Sequence, residues 1–309
     1  MNIPPIASAP SRAKVITAFA AVYLIWGSTY LAIRLCVATV PPFALAGVRY
    51  LIAGGLLYAW LRARGLRPPA ARQWKEAAIT GSFLLLGGNG IVCWAEQSVN
   101  SSLTALILTS TPIWFALFDT IRPGGRPQRF NTLLGLLVGF GGVAVLVFGA
   151  PGQGANAAIT SSAGVIALVC ACALWAGGSL YNKYYTQPAS PWMATAAQML
   201  AGGVANSLVA CVRGEWFSLH PAQVPATTWL AFAYLVFFGS IAGFSAYVYL
   251  LGHCAPARVS TYAYVNPVIA TLLGWLILGE PLTPLIGLAA LIILGGVLIV
   301  QWPVRKPPA

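Results

Sequence analysis

Five apolar stretches of this chain carry polar and aromatic residues at helical spacing, a pattern suited to holding a solute rather than to breaking a bond. Tyr23, Trp26, Gly27, Tyr30 and Arg34 lie three or four residues apart, so they share one helical face with the charge at its end. Asn89, Cys93, Glu96, Gln97 and Asn100 make a second stripe, and Cys172, Trp175, Ser179 and Asn182 a third, followed by Lys183. Ser240, Gly243 and Tyr247, then Tyr262 and Asn266, complete the set. Hydroxyls, amides and indoles in this arrangement offer hydrogen bonds and flat apolar walls, as a binding cavity requires. For any one aromatic, ordinary packing or an interfacial belt is an equal reading; recurrence on several helices favours a shared cavity.

Bond-breaking chemistry lacks its usual apparatus. The sequence has no HExxH, no paired membrane aspartates and no serine with a histidine in reach, which argues against an enzyme. Cys36, Cys93, Cys170, Cys172, Cys211 and Cys254 fall within or beside apolar runs, without the spacing of a zinc, haem or redox motif. His220 and His253 belong to connections on opposite sides of the topology derived below, so they cannot share a metal. No metal and no cofactor is expected.

The elements that position these residues follow from composition. Hydrophobic residues make up 59% of the chain and charged ones 7%, too little polar surface for a soluble protein of this length. A hydrocarbon core about 30 Å thick needs roughly 20 helical residues per crossing. Ten such runs can be drawn: Val15 to Ala38, Pro42 to Leu61, Ala77 to Ala95, Ser102 to Ile121, Thr132 to Ala150, Ser162 to Asn182, Pro191 to Val212, Thr227 to Leu250, Val259 to Leu278 and Pro284 to Trp302. All should be helices, because backbone groups facing lipid have no water to bond. The expected fold is an all-α polytopic membrane protein.

Orientation follows from the basic residues, which gather in short cytoplasmic loops. With the N-terminus inside, 14 of the 17 Lys and Arg residues fall on the cytoplasmic side and only Arg34 and Arg213 outside, Arg49 being within a span. Both termini are therefore expected in the cytoplasm. The net charge of +12 is accounted for by these inner loops beside anionic lipid headgroups, so a lipid bilayer is the expected partner and nucleic acid is not. The first apolar run is too long for a signal-peptide core and should remain as the first helix.

The chain also repeats itself. Trp26, Arg34 and Pro42 recur as Trp175, Lys183 and Pro191 at one offset of 149 residues, and Thr111-Pro112 is matched by Asn266-Pro267 at 155. A unit of five spans written twice must invert its second copy, the plan by which secondary carriers build one central site with two alternate entrances. The expected domains are residues 1–150, a Gly/Pro/Ala-rich linker at 151–161 and residues 162–309. Pro112 and Pro267 each remove a helix hydrogen bond and suit hinges, although bland kinking is also open. Arg49, deep in the second span, could bind a carboxylate or tie to backbone carbonyls, to Glu96 or to Asp119, with structure slightly favoured. Gly135 and Gly139 form a GxxxG pattern, with Gly141, Gly142, Gly295 and Gly296 clustered similarly; a homodimer face and internal packing are both open.

Trp26-Gly27-Ser28-Thr29-Tyr30, Pro41-Pro42, Arg49-Tyr50-Leu51, Tyr262-Ala263-Tyr264-Val265-Asn266-Pro267-Val268 and Leu276-Ile277-Leu278-Gly279-Glu280 resemble the EamA-type drug/metabolite transporters over essentially the whole chain. Among these the chain is most similar to bacterial inner-membrane exporters of amino acids and related metabolites. The resemblance implies ten helices in two inverted repeats around a central cavity, working by alternating access. The first repeat departs at the Leu-Gly-Glu turn, reading Arg122-Pro123-Gly124-Gly125-Arg126, so Glu280 gains no role from the repeat and is expected to cap the helix that follows it. The cavity candidates are Trp26, Tyr30, Asn89, Trp175, Ser179, Tyr247, Tyr262 and Asn266. Arg49 and Glu96 are the candidates for charge or coupling. None of the five acids lies at mid-membrane, Glu96 being nearest, which inclines the reading to facilitated transport of a small solute such as an amino acid. Drug efflux would call for an acidic cavity residue, and exchange of phosphorylated metabolites for clustered buried cations.

Overall fold

A computed structural model describes residues 12–122, 124–125, 130–148, 161–185, 190–254, 259, 261–280 and 282–301. Among them the chain is helical throughout: α1 (Arg12–Val37), α2 (Pro42–Ala63), α3 (Ala71–Ala95), α4 (Ser101–Ile121), α5 (Phe130–Phe148), α6 (Ser162–Tyr185), α7 (Pro191–Val212), α8 (Ala226–His253), α9 (Tyr262–Leu278) and α10 (Pro284–Gln301). Seven of these, α1 to α4 and α6 to α8, are long and apolar enough to cross a membrane by length and composition. The protein is a polytopic membrane protein. Large apolar side chains face outward along its sides, Leu24, Leu208 and Leu276 among them, as lipid in place of water permits. The expected linker residues 151–160 and both chain ends lie outside the described residues.

Two of the expected helices differ in their path. α3 begins at Ala71 rather than Ala77, because Gln73 accepts from the Ala70 N–H at 2.9 Å and supports an extra polar turn. α4 is interrupted at Thr109–Ser110, and Pro112 stands in the first turn of the segment that follows, where its missing N–H costs nothing. The kink expected within that span is thus a break placed before the proline, whereas Pro267 does lie inside a continuous α9.

Both α3 and α8 widen to π-helical turns, at Ser82–Gly90 and Leu235–Phe244. A widened turn misaligns backbone carbonyls, and at these depths each must find a partner inside the protein. Asn206 on α7 donates to the Leu85 carbonyl at 3.0 Å, Trp26 to the Gly239 carbonyl at 3.1 Å, and Ser240 to the Leu235 carbonyl at 3.0 Å.

The helices pair across the two halves of the chain. α2 lies along α7 and α5 along α10, while α1 packs on α8 and α9 as α6 packs on α3 and α4. The α5–α10 seam explains the glycine pattern. A Cβ on Gly296 would stand 2.5 Å from the Gly139 nitrogen and 2.7 Å from the Gly135 oxygen, so the GxxxG face is occupied within the chain.

Candidate functional site

Between α1, α2, α3, α4, α6, α8 and α9 lies a cavity of about 60 Å³. Its wall includes six of the eight expected cavity residues, Trp26, Tyr30, Asn89, Trp175, Tyr262 and Asn266, together with Arg49. Among the described residues, α5, α7 and α10 contribute no side chain to it. The helices that must bring the site together are therefore the paired ones at the centre, and the outer ones brace them.

One face is aromatic. Trp26 sits edge-on to Trp175 with ring centres 5.4 Å apart and edge-on to Tyr262 at the same distance, while Tyr247 lies 5.0 Å from Trp26 and 5.3 Å from Trp175. Edge-to-face contacts at these separations bring the positive rim of one ring to the negative face of another. Tyr247 and Ser179 do not line the cavity: they stand behind Trp175, whose indole N–H donates to the Tyr247 hydroxyl at 3.0 Å, and that hydroxyl meets Ser179 at 2.7 Å. They hold the wall rather than touch its contents. A Cβ on Gly88 would stand 2.6 Å from the Trp175 ring, so only a glycine leaves that indole in place.

The other face is polar and carries one charge. Arg49, 2% exposed, donates to the Ser240 hydroxyl at 2.7 Å and to the Asn89 side-chain oxygen at 3.3 Å, with its guanidinium 4.9 Å from the Tyr50 ring centre. These partners are neutral. Neither Glu96 nor Asp119 is its counter-ion, and among the described residues no carboxylate lies within ion-pair distance of it. Asn266 closes the wall from α9. With its amide nitrogen turned inward it donates to the carbonyls of Tyr23 at 3.1 Å and Tyr262 at 3.2 Å.

Glu96 lies outside the cavity, one turn past Val92 of its wall, and Arg34 stands one turn past Tyr30 in the same way. The Arg34 guanidinium donates to the backbone carbonyl of Glu96. Pro112 and Pro267 are buried but do not reach the cavity. Sequence reasoning missed Thr29, Tyr50, Thr111, Gly88 and Gly239 as wall residues. Their nearest signal was adjacency, since Thr29 and Tyr50 flank Tyr30 and Arg49, and Thr111 precedes Pro112.

Hydrogen bonds tie the helices to one another at both ends of the bundle. At the end bearing Glu96, Glu215 accepts from the Phe43 and Ala44 N–H groups at 2.8 and 2.9 Å, capping α2. Glu280 does the same for α4: it accepts from the N–H groups of Ser101 at 2.9 Å and Ser102 at 3.0 Å and from both serine hydroxyls. It does not cap the following helix as the sequence suggested, because the left-handed turn at Gly279 aims its side chain back at the first half of the chain. At the opposite end, the Lys183 ammonium donates to the carbonyls of Leu251 at 2.7 Å and Cys254 at 3.0 Å, and the Tyr23 and Thr261 hydroxyls meet at 2.6 Å. Among the described residues no group of three or more His, Cys, Asp and Glu could hold a metal.

Comparison with known proteins places this architecture. A family model described as "EamA-like transporter family" matches residues 13–148 and again residues 162–302. The chain is 38% identical over 281 residues to an uncharacterized inner membrane transporter, YedA, of Escherichia coli strain K12, covering 91% of this chain and 88% of that protein. It is 25% identical to the uncharacterized transporter YoaV of Bacillus subtilis strain 168, covering 92% of this chain and 95% of that protein. A solved crystal structure of a protein 21% identical in sequence superposes with a TM-score of 0.65 over 94% of this chain and 97% of the other, a likeness of fold.

Proposed function

The chain belongs to the EamA-like transporter family, and on that premise we propose that it exports small metabolites, amino acids foremost, across a bacterial inner membrane by alternating access. In this reading ten helices form two inverted five-helix repeats with cytoplasmic termini, and rocking of one repeat on the other opens the cavity first to one side and then to the other. The reciprocal packing of α1 on α8 and α9, and of α6 on α3 and α4, supports it. The Glu96 end then faces outward and the Lys183 end faces the cytoplasm.

The observation that carries the substrate class is Arg49. A buried guanidinium bonded only to neutral groups offers a cavity ligand an unmatched positive charge, and a carboxylate is the group its forked donors fit. The aromatic part of the wall suits an apolar side chain. Among the described wall residues there is no acid to hold a drug cation and no second cation to share a phosphate, which sets those readings behind this one.

The test is uptake of a panel of twenty radiolabelled amino acids into proteoliposomes preloaded with the same unlabelled compound. Saturable counterflow of some of them is expected, lost in Arg49→Ala and in Trp175→Ala. No counterflow of any amino acid would overturn the substrate class, and undiminished counterflow in Arg49→Ala would remove its physical basis.

A further inference from the structure

Two glutamates stand close together at the outward end in this reading, in opposite states of satisfaction. Glu280 receives four donors from Ser101 and Ser102. Glu96 is 0% exposed, and neither of its side-chain oxygens has a hydrogen-bond partner among the described residues. The Arg34 guanidinium beside it is engaged by the Glu96 backbone carbonyl rather than the carboxylate. An ionised carboxylate without a hydrogen bond is not sustained in so dry a site, whereas the neutral acid is. Burial, followed by the negative charge of Glu280, pushes the Glu96 carboxyl well above the ordinary carboxylate range, against the pull of Arg34.

We propose that Glu96 is the proton-binding site of the transport cycle, so that a proton moves inward for each solute exported. The proposal rests on the transporter reading above and reverses the expectation of purely facilitated transport.

The steps follow from position. When the outward end opens, Glu96 meets the external solution, takes up a proton and becomes able to be buried; closure then carries the neutral acid inward. Glu96 lies one helical turn beyond Val92, and Arg34 one turn beyond Tyr30, so water entering an inward-open cavity comes within a turn of the carboxyl. There the proton leaves to the cytoplasmic solution, and the ionised form reopens the outward end. The groups around the carboxyl are Arg34, Tyr30 and Cys36 from α1, Cys93 on its own helix, and Glu280 from the α9–α10 turn. α2 presents Arg49 and Tyr50, and α6 presents Cys172, at the level of the cavity below.

Two measurements separate this proposal from the substrate reading. The first uses no substrate: infrared spectra of the lipid-reconstituted protein near neutral pH should contain a protonated-carboxyl stretch that Glu96→Gln removes and Glu280→Gln leaves in place. Absence of the band from the wild type, or its persistence in Glu96→Gln, overturns the proposal. The second repeats the twenty-amino-acid uptake with an acid vesicle interior. Wild-type uptake should rise several-fold over uptake without a gradient. Glu96→Gln should keep counterflow and lose that rise, and Glu96→Asp should retain part of it. A wild type indifferent to the gradient, or a Glu96→Gln that still responds, sinks the coupling. If no amino acid moves at all, the substrate reading fails while the infrared result still decides the proton site.

Discussion

The two ends of the bundle are tied together by different chemistry. At the Glu96 end the ties are ionic and reach across the chain: Glu215 caps α2, Glu280 caps α4, and Arg34 takes the carbonyl at the end of α3. At the other end one ammonium covers the last carbonyls of α8, a pair of hydroxyls joins α1 to α9, and the four rings around Trp26 and Trp175 form the layer beneath. Both obey the same rule, acids at helix starts and cations at helix ends. They differ in what opening costs. Breaking the first exposes charges to water, which hydrates them well; breaking the second separates aromatic surfaces, which water does not reward.

Three substitutions probe that contrast. The largest effect is expected at the ionic end: Glu280→Ala leaves two backbone N–H groups and two hydroxyls of α4 unanswered in a dry site, destabilising the fold by about 3 kcal/mol. It should appear as a large fall in the melting temperature of the detergent-solubilised protein, and a wild-type melting temperature would show that this cap holds nothing together. Lys183→Met keeps the apolar stem and loses two charge-assisted bonds to α8, about 2 kcal/mol, which thermal unfolding of the same preparation would read. An equal or larger loss than in Glu280→Ala would invert the ranking of the two ends. Smallest is Tyr247→Phe, which deletes one hydroxyl behind Trp175 and should cost about 1 kcal/mol while weakening counterflow through a loosened indole. Full counterflow there would mean that the ring packing alone fixes Trp175.

Much of this was legible in the residues. Helical faces named Trp26, Tyr30, Trp175 and Tyr262 because a periodicity of 3.6 in an apolar segment reports which side chains point together. Ser179 and Tyr247 shared those faces and still fell outside the cavity, since a stripe does not say which of its members touches the void and which stands behind it. The break at Thr109–Ser110 and the widened turns of α3 and α8 were invisible for another reason. The widened turns are settled by side chains from distant helices, Asn206 and Trp26, that answer the displaced carbonyls, and spacing along one segment carries no such information. Glu280 was misread for the same cause: its partners lie on a helix about 180 residues earlier in the chain.

The glycine seam between α5 and α10 bears on how the molecule is made. α5 is synthesised long before α10, and its Gly135–Gly139 groove is shaped for a backbone that has not yet left the ribosome. Until α10 is made, that groove lacks the backbone that fills it. A chain cut short before Pro284 would therefore keep every described residue of the cavity wall and yet leave the Gly135–Gly139 groove without the backbone that fills it.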